Sequence, residues 1–425
     1  MDRLLLKSGR VVDPANNIDE QLDLLLAGGK VAEIGKELAP DGAVVIDAAG
    51  RTVVPGLIDM HVHLREPGRE DEENVETGCR AAAAGGFTAV AAMPNTDPVT
   101  DNQAAIGYII REAIRAGFSR VYPIGAITKG SRGESLAEMG SMIEAGAVAF
   151  TDDGLCVASA EMMRKALTYS KIFDVPVIQH CEDPTLSGGG VMNEGLTATR
   201  LGLPGIPAES EEIIVYRDCA LARLCGARFH VAHISTSRSV EIVRRFKAEG
   251  VKVTAEATPH HFTLTEQAVD GYDTNARMAP PLRTQADLDA LRRGLADGTI
   301  DCIASDHAPH HYDEKEAAFA DAPNGIIGLE TSFPISYTEL VLGGVLDLST
   351  LIRRMSTAPA RLLKLPGGSL GVGDQADVTV LDLDRQWTID KNHFYSKSRN
   401  TPFHGRKVTG SAVTTIVGGK VIWKL

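Results

Sequence analysis

Two histidines, His61 and His63, stand one residue apart in DMHVHLREPG (59–68), in a chain of 425 residues with 12 histidines. Residues i and i+2 of a strand face the same way, so the pair sets two imidazoles on one face where an apolar run ends. That is either a metal site or an odd way to fill a core. Further along, Asp152 and Asp153 end AVAFTDDG, His180 ends VPVIQHCE and His233 lies in RFHVAHIST. His260 and His261 end VKVTAEATPHH, and Asp306, His307 and His310 end IDCIASDHAPH. Singly, each has a plain structural use: His180 or His233 as a hydrogen-bonded core residue, Asp153 or Asp306 as a turn or helix cap. Together they fall at the same end of separate apolar runs, which points to one site. Four neutral imidazoles (His61, His63, His180, His233) and two carboxylates (Asp153, Asp306) suit zinc, with manganese, cobalt or iron as alternatives. Six ligands exceed the needs of one catalytic zinc. A carboxylate shared by two ions gives a binuclear centre whose bridging hydroxide is a nucleophile near neutral pH. The chemistry expected is hydrolysis, or its reverse, at a carbonyl or phosphoryl centre.

Something must bring residues 250 positions apart to one place. Eight apolar runs do so: 56–63, 87–95, 121–128, 147–154, 175–182, 228–236, 251–261 and 300–310. Helical patterns such as DNQAAIGYIIREAIRAG (101–117) and SRSVEIVRRFKAEG (237–250) fall between them. The runs lack polar–apolar alternation, as parallel strands buried on both faces should. Eightfold strand–helix alternation predicts an α/β fold, a (β/α)8 TIM-like barrel, whose strand carboxyl ends form one functional rim. A doubly wound open sheet competes with this, but no glycine-rich phosphate loop follows the first strand. Residues 1–54 and 361–425 read instead as short β segments with turns, and are expected to pair into one small β-sandwich flanking a barrel over 55–360.

The bulk numbers exclude other classes. A net charge of -13 argues against a nucleic-acid partner. No run of about 18 apolar residues exists, so no membrane span is expected, and the first residues do not read as a secretory signal. Six scattered cysteines (79, 156, 181, 219, 225, 302) without a CxxC pair fit reduced thiols in the cytoplasm.

PGLIDMHVHLREPG, MPNTDP, TDDG, IQHCED, VAHIST, APPLR and SDHAPHH together resemble the amidohydrolase superfamily, and within it the bacterial-type dihydroorotases. HxH alone marks the superfamily; HLREPG with MPNT and DHAPH is more specific. The resemblance covers essentially the whole chain. It implies reversible cyclisation of N-carbamoyl-L-aspartate to L-dihydroorotate in pyrimidine (UMP) biosynthesis, at a centre of two zinc ions. His61, His63 and Asp306 would hold one ion, His180 and His233 the other, with Asp153 bridging and Asp306 acting as general acid and base. Arg65, Asn95, His310 and the backbone near Asn324-Gly325 would contact the substrate, with His63 beside them. The plain alternative for Arg65 is a surface ion pair with Glu66 or Glu70. Many superfamily relatives bridge their metals with a carboxylated lysine; residues 147–154 contain none, which weighs against a hydantoinase, dihydropyrimidinase or allantoinase. Relatives commonly carry an asparagine where RMAPPLR has Ala279, so a contact there would fall to main chain or water. A second alternative is a non-catalytic subunit of aspartate transcarbamoylase, though no ligand is lost. The partners implied are a small anionic substrate, with a homodimer and a transcarbamoylase complex left open. The segment 310–325 is expected to be either a lid over the rim or a solvated loop with a short helix.

Overall fold

The computed structural model describes residues 3–425. Barrel strands lie at Leu57–Val62, Phe87–Ala92, Arg120–Pro123, Val177–Gln179, Phe229–Val231, Val253–Ala257 and Cys302–Ile303. The fourth position is Phe150 alone, bridged in parallel to Gly125 on one side and Val177 on the other. All pairings around the ring are parallel. No continuous ladder closes the ring. Ladders join strands one to three and five to eight, and single bridges at Phe150 and between Val62 and His307 link the two arcs.

At that last seam a side chain supplements the backbone. Asp59 accepts from His61 N–H (3.1 Å) on its own strand and from Ser305 N–H (3.1 Å) on the eighth. Burial pushes its carboxyl up to about 7.

Burial on both faces explains why the strands read as apolar runs. In FTAVAA (87–92) every residue is buried. Ala89 and Ala91 pack into the barrel interior with Ile58, Met60, Ile124, Ile178 and Ala304, while Phe87 and Val90 pack outward under the helices. Small residues inside and large ones outside suit a narrow ring. Truncating Phe87 or Phe229, both fully buried in this layer, to alanine would cost about 3–5 kcal/mol. The expected helices appear at Gln103–Ala116 and Ser237–Ala248, started by Asn102 and Thr236, whose side chains accept from N–H groups of the first turn.

Both chain ends build the second unit. Its eight strands form one sheet in the order Lys420–Lys424, Lys407–Val417, Val378–Thr388, Thr52–Pro55, Arg3–Asp13, Ile18–Ala27, Lys30–Gly35, with Val44–Asp47 also paired to Arg3–Asp13. The sheet encloses its own core around Leu4, Leu24, Val53, Val378 and Ile416.

Candidate active site

The barrel strands end at one mouth, and the six residues expected as ligands meet there. Asp153 lies at the centre. Its Oδ2 is 3.3 Å from His61 Nε2 and 3.5 Å from His63 Nε2, and its Oδ1 is 3.5 Å from His233 Nε2 and 4.0 Å from His180 Nδ1. Asp306 Oδ1 completes the first half, 3.1 Å from His63 Nε2 and 3.4 Å from His61 Nε2. His180 Nδ1 and His233 Nε2 face each other at 3.0 Å. Three overlapping groups can be drawn in the set, His61-His63-Asp153, Asp153-His180-His233 and His61-His233-Asp306, and Asp153 is common to the first two.

His233 and Asp306 take left-handed backbone conformations (φ 27° and 47°). Such conformations cost about 1–3 kcal/mol each and persist where the surroundings enforce them. Both residues lie a few positions past strand ends, where the turn brings their side chains to the shared cluster.

The cluster fits cations. Asp153 Oδ1 is buried and has no hydrogen-bond partner, and an unsatisfied buried carboxylate oxygen is costly unless a positive charge compensates it. Burial raises the Asp306 carboxyl, but His61, His63 and His233 outweigh it and hold it well below the usual range. Burial lowers His61, but Asp153, Asp306 and Glu256 outweigh that and raise it well above the ordinary value. A buried cluster that keeps carboxylates ionised and draws protons onto imidazoles favours positive charge. The ring nitrogens facing away from the cluster are held as well. His61 Nδ1 lies 2.6 Å from Glu256 Oε1, and His63 Nδ1 lies 2.7 Å from Asn95 Oδ1. With Nδ1–H donating to Glu256 and Asn95, the Nε2 lone pairs are left free for a metal.

TDDG divides its labour. Asp152 accepts from the N–H groups of Ile127 (2.8 Å) and Thr128 (3.0 Å), joining two rim loops, while Asp153 faces the cluster. His261 is structural, bonded to Thr258 Oγ1 (2.7 Å) and Pro280 O (2.9 Å). His307 faces Glu73 Oε2 (3.3 Å), away from the cluster.

Beside the cluster is a cavity of about 290 Å³ bordered by His63, Arg65, Asn95, Ala279, His310 and Asn324. The residues expected to face a substrate thus converge as well. Arg65 is 9% exposed, so it is no surface residue, and its ion partner is neither Glu66 nor Glu70. Its Nε lies 3.1 Å from Glu72 Oε2 and donates to Pro309 O (3.0 Å), with Nη2 3.3 Å from His310 Nε2. Glu72, buried, also lies 2.9 Å from His310 Nδ1. The segment 310–325 carries a short helix, Tyr312–Lys315, and is strapped down. Lys315 Nζ donates to Thr274 O (3.0 Å) and Pro323 O (2.8 Å), and Arg277 donates to Phe319 O and Asn324 Oδ1 (3.0 Å).

Four supporting residues escape the sequence reading: Glu256, Glu72, Asn400 and Arg283. Arg283 ends APPLR and joins three segments, bonding Ser235 Oγ (3.2 Å), Asn193 Oδ1 (2.8 Å) and Ile206 O (3.0 Å). Glu256 had a readable signal. A carboxylate inside a strand buried on both faces must have a partner, and its second oxygen faces His230 Nε2 at 3.2 Å.

The chain is similar to known proteins in sequence and in fold. A family model described as dihydro-orotase-like matches residues 50–239, and one described as amidohydrolase family matches residues 223–423. A dihydroorotase of Syntrophotalea carbinolica is 55% identical, over 100% of this chain and 99% of its own. One of Geotalea daltonii is 56% identical over 99% of each chain. An L-hydantoinase structure from Arthrobacter aurescens superposes with a TM-score of 0.88 at 28% identity, covering 100% of this chain and 96% of that one. A dihydropyrimidinase structure from Brevibacillus agri, at 24% identity and TM-score 0.84 over 99% of this chain and 95% of that one, shares the fold. Amidohydrolases of this kind use metal ions, and the His/Asp cluster at the mouth is where this chain would hold them. The full-length identity lies with one family: the chain belongs to the dihydroorotases, cyclic amidohydrolases of the amidohydrolase superfamily.

Proposed function

We propose that this chain interconverts N-carbamoyl-L-aspartate and L-dihydroorotate, the ring-closing step of pyrimidine biosynthesis, in the cytoplasm. The observation that carries the reading is the two-sided setting of Asp153, with His61 and His63 at one oxygen, His180 and His233 at the other, and Asp306 against His61 and His63. Two divalent ions, zinc first among them, supply a nucleophilic oxygen at neutral pH and polarise the amide carbonyl when bound there. Two such ions outweigh Asp153, Asp306 and a hydroxide by a single positive charge, so an acidic protein presents a positive pocket.

The chain's own groups do the rest. Arg65 offers a planar fork to the substrate carboxylate, His310 and the Asn324-Gly325 backbone border it, and Asn95, its Oδ1 held by His63, keeps its amide N–H for the ligand. Asp306 moves the proton. It delivers one to the leaving ring nitrogen in hydrolysis and takes one from the ureido nitrogen in synthesis. Ala279 at the cavity wall leaves the contact there to main chain or water. On this reading the chain divides into a barrel over 55–360 and a terminal β unit from 1–54 and 361–425.

The fold likeness to a hydantoinase makes that activity the rival, opposed by the lack of lysine in 147–154. The test compares hydrolysis of L-dihydroorotate, allantoin and 5-substituted hydantoins by one preparation, with metal analysis. Preference for dihydroorotate with about two ions per chain is expected. Preference for an uncharged ring, or an inactive metal-free protein, overturns the reading.

A further inference from the structure

The loop between the strands Val378–Thr388 and Lys407–Val417 leaves the terminal sheet and reaches the barrel mouth. Ser396 donates to Glu73 (2.5 Å), and Ser398 Oγ lies 2.7 Å from Glu72 O and 2.8 Å from His310 O. Asn400 goes deepest and is 3% exposed. Its Oδ1 accepts from His310 N–H (3.2 Å), and its Nδ2 donates to Ala308 O (2.9 Å) and Gly325 O (3.0 Å). Its own carbonyl accepts from Ile327 N–H (3.0 Å).

These bonds join a segment that borders the cavity through Ala308 and His310 to the one that follows directly on Asn324, itself on the cavity wall. Residues 307–310 and 325–327 run in parallel, bridged at His307 and Ile326, with Ala308 N–H donating to Ile326 O (3.0 Å). Beyond that bridge the Asn400 amide takes the place of a neighbouring strand, satisfying two carbonyls and one N–H. The fit is close: a Cβ on Gly325, at φ +156°, would lie 2.6 Å from Ala308 O and 2.7 Å from His310 Cδ2. Asparagine suits the position because it carries an acceptor and two donor protons on one short stem. Aspartate lacks the donors, glutamine is a methylene too long, and alanine offers nothing.

We propose that Asn400, supplied by the terminal β unit, is a positioning residue for substrate binding: its amide fixes the spacing of His310 and Gly325, the pair that borders the substrate carboxylate. The inference rests on the proposed dihydroorotase activity. Asn400 touches neither the ligand cluster nor the scissile bond, so its loss acts on binding and leaves the metal centre whole.

The test is steady-state kinetics of Asn400→Ala and of the isosteric Asn400→Asp, in both reaction directions, with metal content measured on the same samples. The expected result is a KM raised about tenfold or more, with kcat and metal content held. Asn400→Asp keeps the acceptor for His310 and loses both donors, so its KM rises too; it decides the matter if Asn400→Ala does not fold. A KM within about twofold of wild type, or KM, kcat and metal content failing together, overturns the inference. A wild-type chain that turns over neither compound overturns the proposed function, and this inference with it.

Discussion

The two sides of the barrel mouth are built by different means. On the side of the His/Asp cluster, His61, His63, Asp153, His180, His233 and Asp306 ride at or just past strand ends, and the parallel pairing of the ring sets their spacing. On the cavity side, Arg65, His310, Asn324 and Gly325 sit on loops, held by Glu72, Arg277 and Asn400, while Lys315 ties their segment to Thr274. A barrel can keep its reaction centre while its binding face is rebuilt, because the two have separate supports. That separation fits a chain whose fold matches a hydantoinase at 28% identity while its sequence lies with dihydroorotases.

The contrast can be broken by substitution. The largest effect belongs to Asp153→Ala, which removes the carboxylate common to both groups. Activity falls to background and metal analysis shows the centre emptied; retained metal and turnover would end the shared-ligand account. Asp306→Asn follows, lowering kcat by about 10²–10⁴-fold as the proton carrier is lost, measured with metal in excess. Glu256→Gln frees the His61 ring and weakens metal affinity by about 10–100-fold, read by chelator competition, with KM unchanged at saturating metal. On the opposite side, Arg65→Lys replaces a fork by a point charge and raises KM by about tenfold, while metal content stays whole. If Arg65→Lys lost metal, or Glu256→Gln changed KM alone, the two sides would not be independent.

The smallest effect concerns the strap. Burial lowers the Lys315 ammonium to about 7, far below its ordinary value. Between pH 7 and the ordinary lysine range an opened segment binds the proton and the closed one does not, so rising pH favours closure. A neutral amine still donates to Thr274 O and Pro323 O. Amide exchange across 310–325, corrected for its intrinsic pH dependence, should show opening reduced by up to about tenfold per pH unit in that window. Lys315→Met should abolish the dependence.

The same division governs what the sequence makes legible. Strands buried on both faces appear as apolar runs, so six lie inside their expected ranges, Arg120–Pro123 starts one residue early, and the His/Asp cluster gathers at their ends. The fourth run, 147–154, shrinks to bridges at Phe150 because the chain turns at once into the Asp152 and Asp153 rim. The parallel pair Met192–Asn193 and Gly205–Ile206 goes unseen, since GGGV reads as loop and two-residue strands leave no periodicity. Asn400 and Glu72 are invisible for a different reason. Each is a single polar residue whose partner is far along the chain, 90 residues for Asn400 and His310, and no spacing rule connects them.

The pairing of the strand Thr52–Pro55 with Val378–Thr388 carries a consequence for how the chain comes off the ribosome. Leu57 N–H meets Thr379 Oγ1 (3.4 Å) across 322 residues, so the first strands emerge with an open edge and wait through nearly the whole of translation for their partner. The segment bearing Asn400 emerges later still. The His/Asp cluster, ending at Asp306, is therefore made well before the segment that braces the cavity, and the open edge of the early strands is where chaperones, or aggregation, would act first.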